Sequence, residues 1–505
     1  MSLDRREFLW RATLLAGAAV TANPLDGLGS VRAPRRVVIV GAGLAGLCAA
    51  WELEQRGVEC VVLEADPHHV GGRVRTHEFG SGLRGELGAM RIPTLHRRVR
   101  ASCKRFGLHL RPFVQDNGDA FVFGRGRRVR ARDVATLGDA YALGTGEVGA
   151  TPASLWIRAV SDVLTGMTTD ELADLHDPTP ATARLRELDQ LSLTQLCERA
   201  ALSPDAIEYL ATGNGVETLL ASAATEHLRE DHDAIWTRGF DEIVGGTQRL
   251  PEAFERRLRT APRPGCQVVR LEQGEDGGTP WAGAVYLDHG VERRERGDAL
   301  ICTVPYPVLT QIDASPAFSG AKRRAIRELG YDSSTKVLVV ARRRFWETDD
   351  GIYGGVTLTD LPTGTTVYPS DNATRRDPDV SRAPGVLLAS YTWGQAARHM
   401  AALPLDECRR VVLDAVGRVH PQLREPDMID TLVSWSWDEH RWSQGAFAWF
   451  LPGQWTDLHA DVIRPEGRIW FAGEHASLTH TWMEGALESA QRVVAEVVAS
   501  AQRAA

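Results

Sequence analysis

Cysteine is scarce and scattered. Seven residues, Cys48, Cys60, Cys103, Cys197, Cys266, Cys302 and Cys408, occur among 505, and none belongs to a CxxC pair. That spacing excludes a zinc site, and an odd, dispersed set is not a disulfide framework. Several of the seven stand in apolar runs and read as buried thiols. Positive charge is not in excess either: the net charge is -8, so neither nucleic acid nor an anionic membrane surface is an expected partner. The apolar run from Ala12 to Val20 is too short to span a bilayer as a helix. Internal repeats and low-complexity segments are absent. What remains is a chain long enough for two or three structural units with large cores.

One stretch organises the rest. Val37-Val38-Ile39-Val40 is the continuous apolar run of a parallel strand buried on both faces. Gly41, Gly43 and Gly46 follow in G-A-G-L-A-G spacing; Leu47 to Arg56 reads as a helix, Gly57 ends it, and Val58 to Leu63 reads as a second strand leading to Glu64. Gly41 permits the tight turn, Gly43 lets a pyrophosphate approach the backbone, and Gly46 lets helix and strand pack closely. The pyrophosphate would sit on the helix N-terminus. An acid at Glu64 accepts from ribose hydroxyls and disfavours a 2′-phosphate, hence NADP.

Upstream, Asp4-Arg5-Arg6-Glu7-Phe8-Leu9, the short apolar run and Val20-Thr21-Ala22 resemble a twin-arginine export signal with a small-residue cleavage site. Export to the periplasm or the medium in folded form is therefore expected, with residues 1–33 as signal and linker.

Downstream, Gly71-Gly72-Arg73 suits a loop lying against a phosphate or a flavin edge, with Arg73 as a fixed charge. Arg91, in Gly88-Ala89-Met90-Arg91-Ile92-Pro93, is flanked by apolar residues. A half-buried arginine there needs an anion, either a structural carboxylate or that of a ligand. From about Leu95 to Leu219 the chain reads as mostly helical, broken at Asp177-Pro178-Thr179-Pro180. Gln267 to Leu271, Ala284 to Leu287 and Ala299 to Val304 read as strands that return the chain to the first sheet. Lys336 opens an apolar strand, where it either reaches solvent or enters a site. Ser390-Tyr391-Thr392-Trp393 reads as a strand, and Trp435, Trp437, Trp442, Trp449 and Trp455 cluster, as core or as site. Phe471-Ala472-Gly473-Glu474-His475 ends a strand, and Thr481-Trp482-Met483-Glu484-Gly485 opens a last helix whose N–H groups could face the polar edge of a flavin.

On these motifs the chain resembles the flavin amine oxidase superfamily and, within it, the L-amino acid oxidases, over nearly all of Arg36 to about Val498. The fold implied is α/β (α+β overall): a two-domain FAD-binding Rossmann-like fold with a mixed-sheet substrate domain and a helical insertion. Its expected divisions are 34–92, 239–325 and 461–505 for the FAD-binding parts, 93–238 for the helical insertion, and 326–460 for the substrate sheet. The resemblance implies cofactor contacts at Gly41, Gly43, Leu44, Ala45, Gly46, Glu64 and Ala65, at Gly72 and Arg73, and at Gly88, Ala89, Met90 and Arg91. Val269, Gly473, Glu474, Trp482 and Met483 complete that set, with Glu474 on the ribityl or phosphate end.

For the chemistry, the resemblance implies that Arg91 and Tyr368 hold the substrate α-carboxylate. Lys336 would hold a water near the flavin, and Trp482 would form an aromatic wall, with Trp442 as a second. His232 or His227 is the candidate for a mobile histidine known in some members. No metal is implied. The FAD is expected to be non-covalent, since no cysteine follows Cys408. The implied activity is oxidative deamination of an L-α-amino acid by dioxygen, giving a 2-oxo acid, ammonia and hydrogen peroxide. An amino-acid 2-monooxygenase, or less readily a mono- or polyamine oxidase, is the alternative. A homodimer is implied.

Overall fold

The computed structural model describes residues 34–180 and 182–503; the twin-arginine segment and its linker lie outside them. Strand β1 (Arg36–Val40) is central in a four-stranded parallel sheet with β2 (Glu59–Leu63) on one side, and β3 (Ala299–Cys302) then β4 (Ile469–Phe471) on the other. Helix α1 (Leu44–Glu54) makes the crossover from β1 to β2. Valines and isoleucines at Val37, Val38 and Ile39 are fully buried because helices or a second sheet cover both faces. The C-terminal helix, Met483–Arg503, lays Leu487, Ala490, Val493, Val494 and Val497 into the same core as α1. Three distant parts of the chain thus build one four-stranded sheet.

A second sheet of seven strands supplies the other wall. Its order is Ile429–Ser436, Ser334–Ala341, Gly385–Trp393, Thr365–Tyr368, Gly355–Thr359, Phe121–Gly124 and Arg127–Arg130. All neighbours run antiparallel except Gly355–Thr359 beside Phe121–Gly124. One face carries Leu338, Val340, Val367 and Leu388 toward Met90 and Trp482, and the other carries Val337, Val339, Tyr368 and Leu387 toward the helix Leu405–Val419. A smaller sheet, with Cys266–Asp276, Thr279–Asp288 and Val291–Gly297 as an antiparallel meander, flanks the nucleotide sheet.

The region expected to be mostly helical opens on a helix, Arg97–Phe106, but is then extended until residue 131, where the helices resume. Before that, Leu110–Phe113 pairs with Phe240–Ile243, and 121–130 forms a hairpin at the edge of the seven-stranded sheet. Its turn at Arg125-Gly126 takes positive φ at both residues, which forms a tight reversal rather than a helix. The helices that follow are short, and α2 (Ala224–His232) reaches the cavity described below through Glu230. Among the described residues no helix is long and apolar enough to cross a membrane.

Candidate active site

A cavity of about 290 Å³ runs from the β1–α1 turn to the end of the seven-stranded sheet that carries Ser334, Lys336, Tyr391 and Trp393. At the nucleotide end it is lined by Gly41, Gly43, Leu44, Ala45, Glu64 and Ala65. Gly41 sits at φ +100°, and a Cβ on Gly46 would lie 2.0 Å from the Gly41 carbonyl oxygen. Gly46 is therefore behind the lining, where it allows the helix to touch the turn. Gly43 and Gly72 face each other: a Cβ on Gly72 would stand 3.2 Å from the Gly43 Cα. No side chain caps α1, so its first-turn N–H groups are left for a ligand. Glu64 accepts from the backbone N–H of Ala42 at 2.7 Å and of Asp66 at 2.8 Å, and burial pushes its carboxyl up to about 7.

Arg73 and Glu474 both line the cavity but are paired to each other at 2.9 Å. Arg73 also donates to the Ala446 carbonyl, and Glu474 accepts from Ala448 N at 3.0 Å and Thr481 N at 3.1 Å. The pair staples the second Gly-rich loop to the C-terminal motif, so both Glu474 oxygens are committed to protein donors. Gly473 and Met483 lie beside it in the lining. Val269 does not: it sits at a β-bulge between Val268 and Arg270, and the bulge turns Val268 inward in its place.

At the other end the cavity widens into an aromatic chamber. Gly88, Ala89, Met90 and Arg91 form one side; a Cβ on Gly88 would meet the Arg73 carbonyl oxygen at 2.0 Å. The Arg91 guanidinium stands over the rings of Trp236 at 4.8 Å, Phe240 at 5.6 Å and Trp482 at 5.9 Å. It donates to the neutral Gln115 side chain at 2.9 Å, and among the described residues it forms no salt bridge. Loss of hydration lowers its pKa, which marks a charge held out of water. Lys336 is buried; its Nζ donates to the carbonyls of Gly88 at 2.6 Å and Glu86 at 3.2 Å and stands 4.5 Å over the Tyr391 ring. Burial brings its pKa down to about 7.

Two residues in this chamber escaped the sequence reading. Tyr391 lines it between Arg91 and Lys336, with its hydroxyl pKa raised by burial so that it remains a donor. Glu230, on α2, accepts the indole N–H of Trp482 at one oxygen and that of Trp236 at the other, both at 2.8 Å. Burial pushes its carboxyl up to about 7.

Tyr368 is not in the chamber. Its hydroxyl sits 2.6 Å from Thr357 Oγ1 and 2.6 Å from His420 Nε2, and His420 Nδ1 meets Asp350 at 2.7 Å. Strand parity is the reason: Val367 faces the chamber side, so its neighbour Tyr368 faces the opposite core. Nor does either candidate histidine line the cavity. His227 bonds Ser222 and packs between Trp156 and Trp449; His232 stacks against His176 outside. Trp442 and Trp482 do line it.

Comparison with known proteins places this arrangement. Residues 44–498 match the family model for flavin containing amine oxidoreductases. The chain belongs to this family. An L-amino-acid oxidase of Siganus canaliculatus is 32% identical over 481 residues, covering 94% of this chain and 87% of that protein. The flavin-dependent L-tryptophan oxidase RebO of Lentzea aerocolonigenes is 34% identical over 491 residues, covering 93% of this chain and 99% of that protein. Among solved structures, a putrescine oxidase superposes with a TM-score of 0.72 at 21% identity, over 92% of this chain and 99% of that one. Cyclohexylamine oxidase from Brevibacterium oxydans IH-35A gives a TM-score of 0.72 at 21% identity, over 93% and 100%. At that identity the likeness establishes the fold. As a flavin-containing amine oxidoreductase the protein is an FAD-dependent enzyme that takes an amine substrate and dioxygen. The uncapped α1, the facing glycines Gly43 and Gly72, and Glu64 at the end of β2 fit that cofactor.

Proposed function

We propose that the protein oxidatively deaminates an L-α-amino acid, consuming dioxygen and water and releasing the 2-oxo acid, ammonia and hydrogen peroxide. The observation that carries the reading is Arg91: a desolvated guanidinium at the cavity wall, ringed by aromatics and hydrogen-bonded to a neutral amide. Such a charge is completed by an anionic ligand, and a carboxylate matches its fork geometry.

In this reading the β1–α1 turn and the α1 N-terminus hold the pyrophosphate of FAD, and Glu64 accepts from its ribose. Bound FAD supplies the hydride acceptor. Arg91 clamps the α-carboxylate, and the Tyr391 hydroxyl adds the hydrogen bond that the sequence reading assigned to Tyr368. Fixing the carboxylate aims the Cα–H, a positioning effect worth several kcal/mol. The dry aromatic wall favours the neutral amine over the ammonium, so nitrogen can push hydride out without a dedicated base. Lys336 supplies local positive charge for the reaction with dioxygen. The tryptophan-rich wall, Trp236, Trp393, Trp442, Trp449 and Trp482, suits a bulky apolar or aromatic side chain. The absence of any cysteine after Cys408 supports a dissociable cofactor; acid precipitation should leave the yellow colour in solution. We extend the proposal to twin-arginine export and a homodimer, read out by secretion of an Arg5→Lys/Arg6→Lys variant and by light scattering.

The decisive experiment assays peroxide formation from the L-amino acids and from the matching decarboxylated amines, for wild type and Arg91→Ala. Removing one partner of a buried charge pair costs roughly 2–5 kcal/mol, so kcat/KM on amino acids should fall at least about 30-fold. An Arg91→Ala variant that retains wild-type kcat/KM, or a wild type that prefers the amines, overturns the reading.

A further inference from the structure

His232 lies at the end of α2, outside the cavity, and two other potential ligands stand next to it. We propose that His176, His232 and Asp233 form a site for a divalent transition metal, with Zn²⁺ the best fit, on the outer surface of the helical insertion.

One donor atom from each residue falls within 4.8 Å of the other two. His176 Nε2 is 3.1 Å from Asp233 Oδ1, and the imidazoles of His176 and His232 lie 5.6 Å apart between centroids at 43°. Ligand atoms around a tetrahedral Zn²⁺ at its usual bond lengths are about 3.3–3.5 Å apart; the His176–Asp233 contact is slightly closer than that, and no pair is farther apart than 4.8 Å. Two imidazoles and a carboxylate favour Zn²⁺, Ni²⁺ or Cu²⁺ over Mg²⁺ and Ca²⁺, which take oxygen-only shells. Three protein ligands leave the fourth position to water. The side chains of His176 and Asp233 are 42% and 38% exposed, so a hydrated ion can reach them.

The backbone holds the ligands ready. His232 and Asp233 end α2, where the helix dipole attracts a cation. His176 follows the helix Thr169–Asp174, and its preceding residue is tied to α2 by the hydrogen bond from Arg229 Nε to the Leu175 carbonyl at 2.9 Å. The two segments are thus already held together beside the site. A bound ion would fasten the end of α2 two residues from Glu230, whose carboxylate holds Trp236 and Trp482 at the cavity wall.

The test titrates the FAD-loaded, EDTA-treated and desalted full chain with ZnCl2 by calorimetry, with MgCl2 in parallel. One Zn²⁺ per chain should bind at about micromolar affinity or tighter, while Mg²⁺ gives no comparable heat. His176→Ala, His232→Ala and Asp233→Asn should each weaken Zn²⁺ binding at least about tenfold, and their zinc-free melting temperatures report folding. A Co²⁺ difference spectrum on the wild type gives a second readout independent of variants: visible d–d bands that Zn²⁺ abolishes. Absence of stoichiometric Zn²⁺ binding, unchanged affinity in the His176→Ala/His232→Ala double variant, or no Zn²⁺-displaceable Co²⁺ bands overturns the site.

Discussion

The carboxylate of Glu230 lies between two indoles, accepting from Trp482 Nε1 and Trp236 Nε1 at 2.8 Å each. Both rings stand within cation–π range of Arg91. One acid from the helical insertion therefore fixes the walls around the proposed carboxylate clamp. In Glu230→Gln only one oxygen survives, and the new amide N–H₂ confronts the other indole N–H. An unsatisfied buried donor costs about 1–3 kcal/mol. The variant should raise KM for amino acids about tenfold and lower the melting temperature, with altered tryptophan fluorescence as the direct sign of released rings. Unchanged KM and fluorescence would mean the two bonds hold nothing of consequence.

Tyr368 and Tyr391 make opposite predictions. Tyr391→Phe deletes a hydroxyl at the cavity wall and should raise KM for amino acids about tenfold, near the value of one hydrogen bond to a charged group, with little change in melting temperature. Tyr368→Phe breaks the buried run from Thr357 through Tyr368 and His420 to Asp350. It should destabilise the protein by about 1–3 kcal/mol and leave KM alone. Steady-state kinetics beside thermal melts of the two variants separate these roles; the reverse pattern would return Tyr368 to the site.

The contrast shows what a sequence displays of such a site. Turn, helix and acid of the nucleotide cradle are consecutive from Gly41 to Glu64, and each has a local backbone demand that only certain residues meet. The chamber has no such continuity: Arg91, Glu230, Lys336, Tyr391 and Trp482 meet only in three dimensions. Tyr391 reaches it because Ala389 is the extra residue of a bulge, where Val337 pairs Ser390 and Leu338 pairs Leu388. Simple alternation from Val386 and Leu388 would have turned it away. Glu230 sits in a run of charged residues, Arg229-Glu230-Asp231-His232-Asp233, where composition does not say which one faces inward. Likewise the strands at 110–130 are fixed by partners more than a hundred residues away, at Phe240–Ile243 and Gly355–Thr359.

Lys336 gives the pH dependence a definite sign. Burial, opposed by the neighbouring Glu86 and reinforced by Arg91, brings its pKa down to about 7. Below that value the ammonium is present and can stabilise negative charge developing on dioxygen; above it the charge is lost. The second-order rate constant with dioxygen should therefore decline as pH rises through about 7. A single preorganised donor of this kind is worth about 100-fold in rate, so Lys336→Met should be slower by that order at pH 6 and show no such decline. Stopped-flow mixing of the substrate-reduced enzyme with dioxygen reads both quantities. A Lys336→Met profile parallel to the wild type would remove Lys336 from this step.

Gly46 tests the cradle separately from the chemistry. Its ideal Cβ lies 2.0 Å from the Gly41 carbonyl oxygen and 3.1 Å from Thr303 Oγ1, both held by the β1–β3 core. A methyl group there forces α1 away from the turn that its N-terminus completes. Gly46→Ala should purify colourless or with FAD well below one per chain. Gly57→Ala is the useful companion: nothing lies within 4 Å of its Cβ, although φ is +79°, so it carries backbone strain of order 1 kcal/mol without any collision. It should melt earlier yet keep its flavin. If the two variants lose FAD equally, general instability accounts for the loss, and close approach at Gly46 does not.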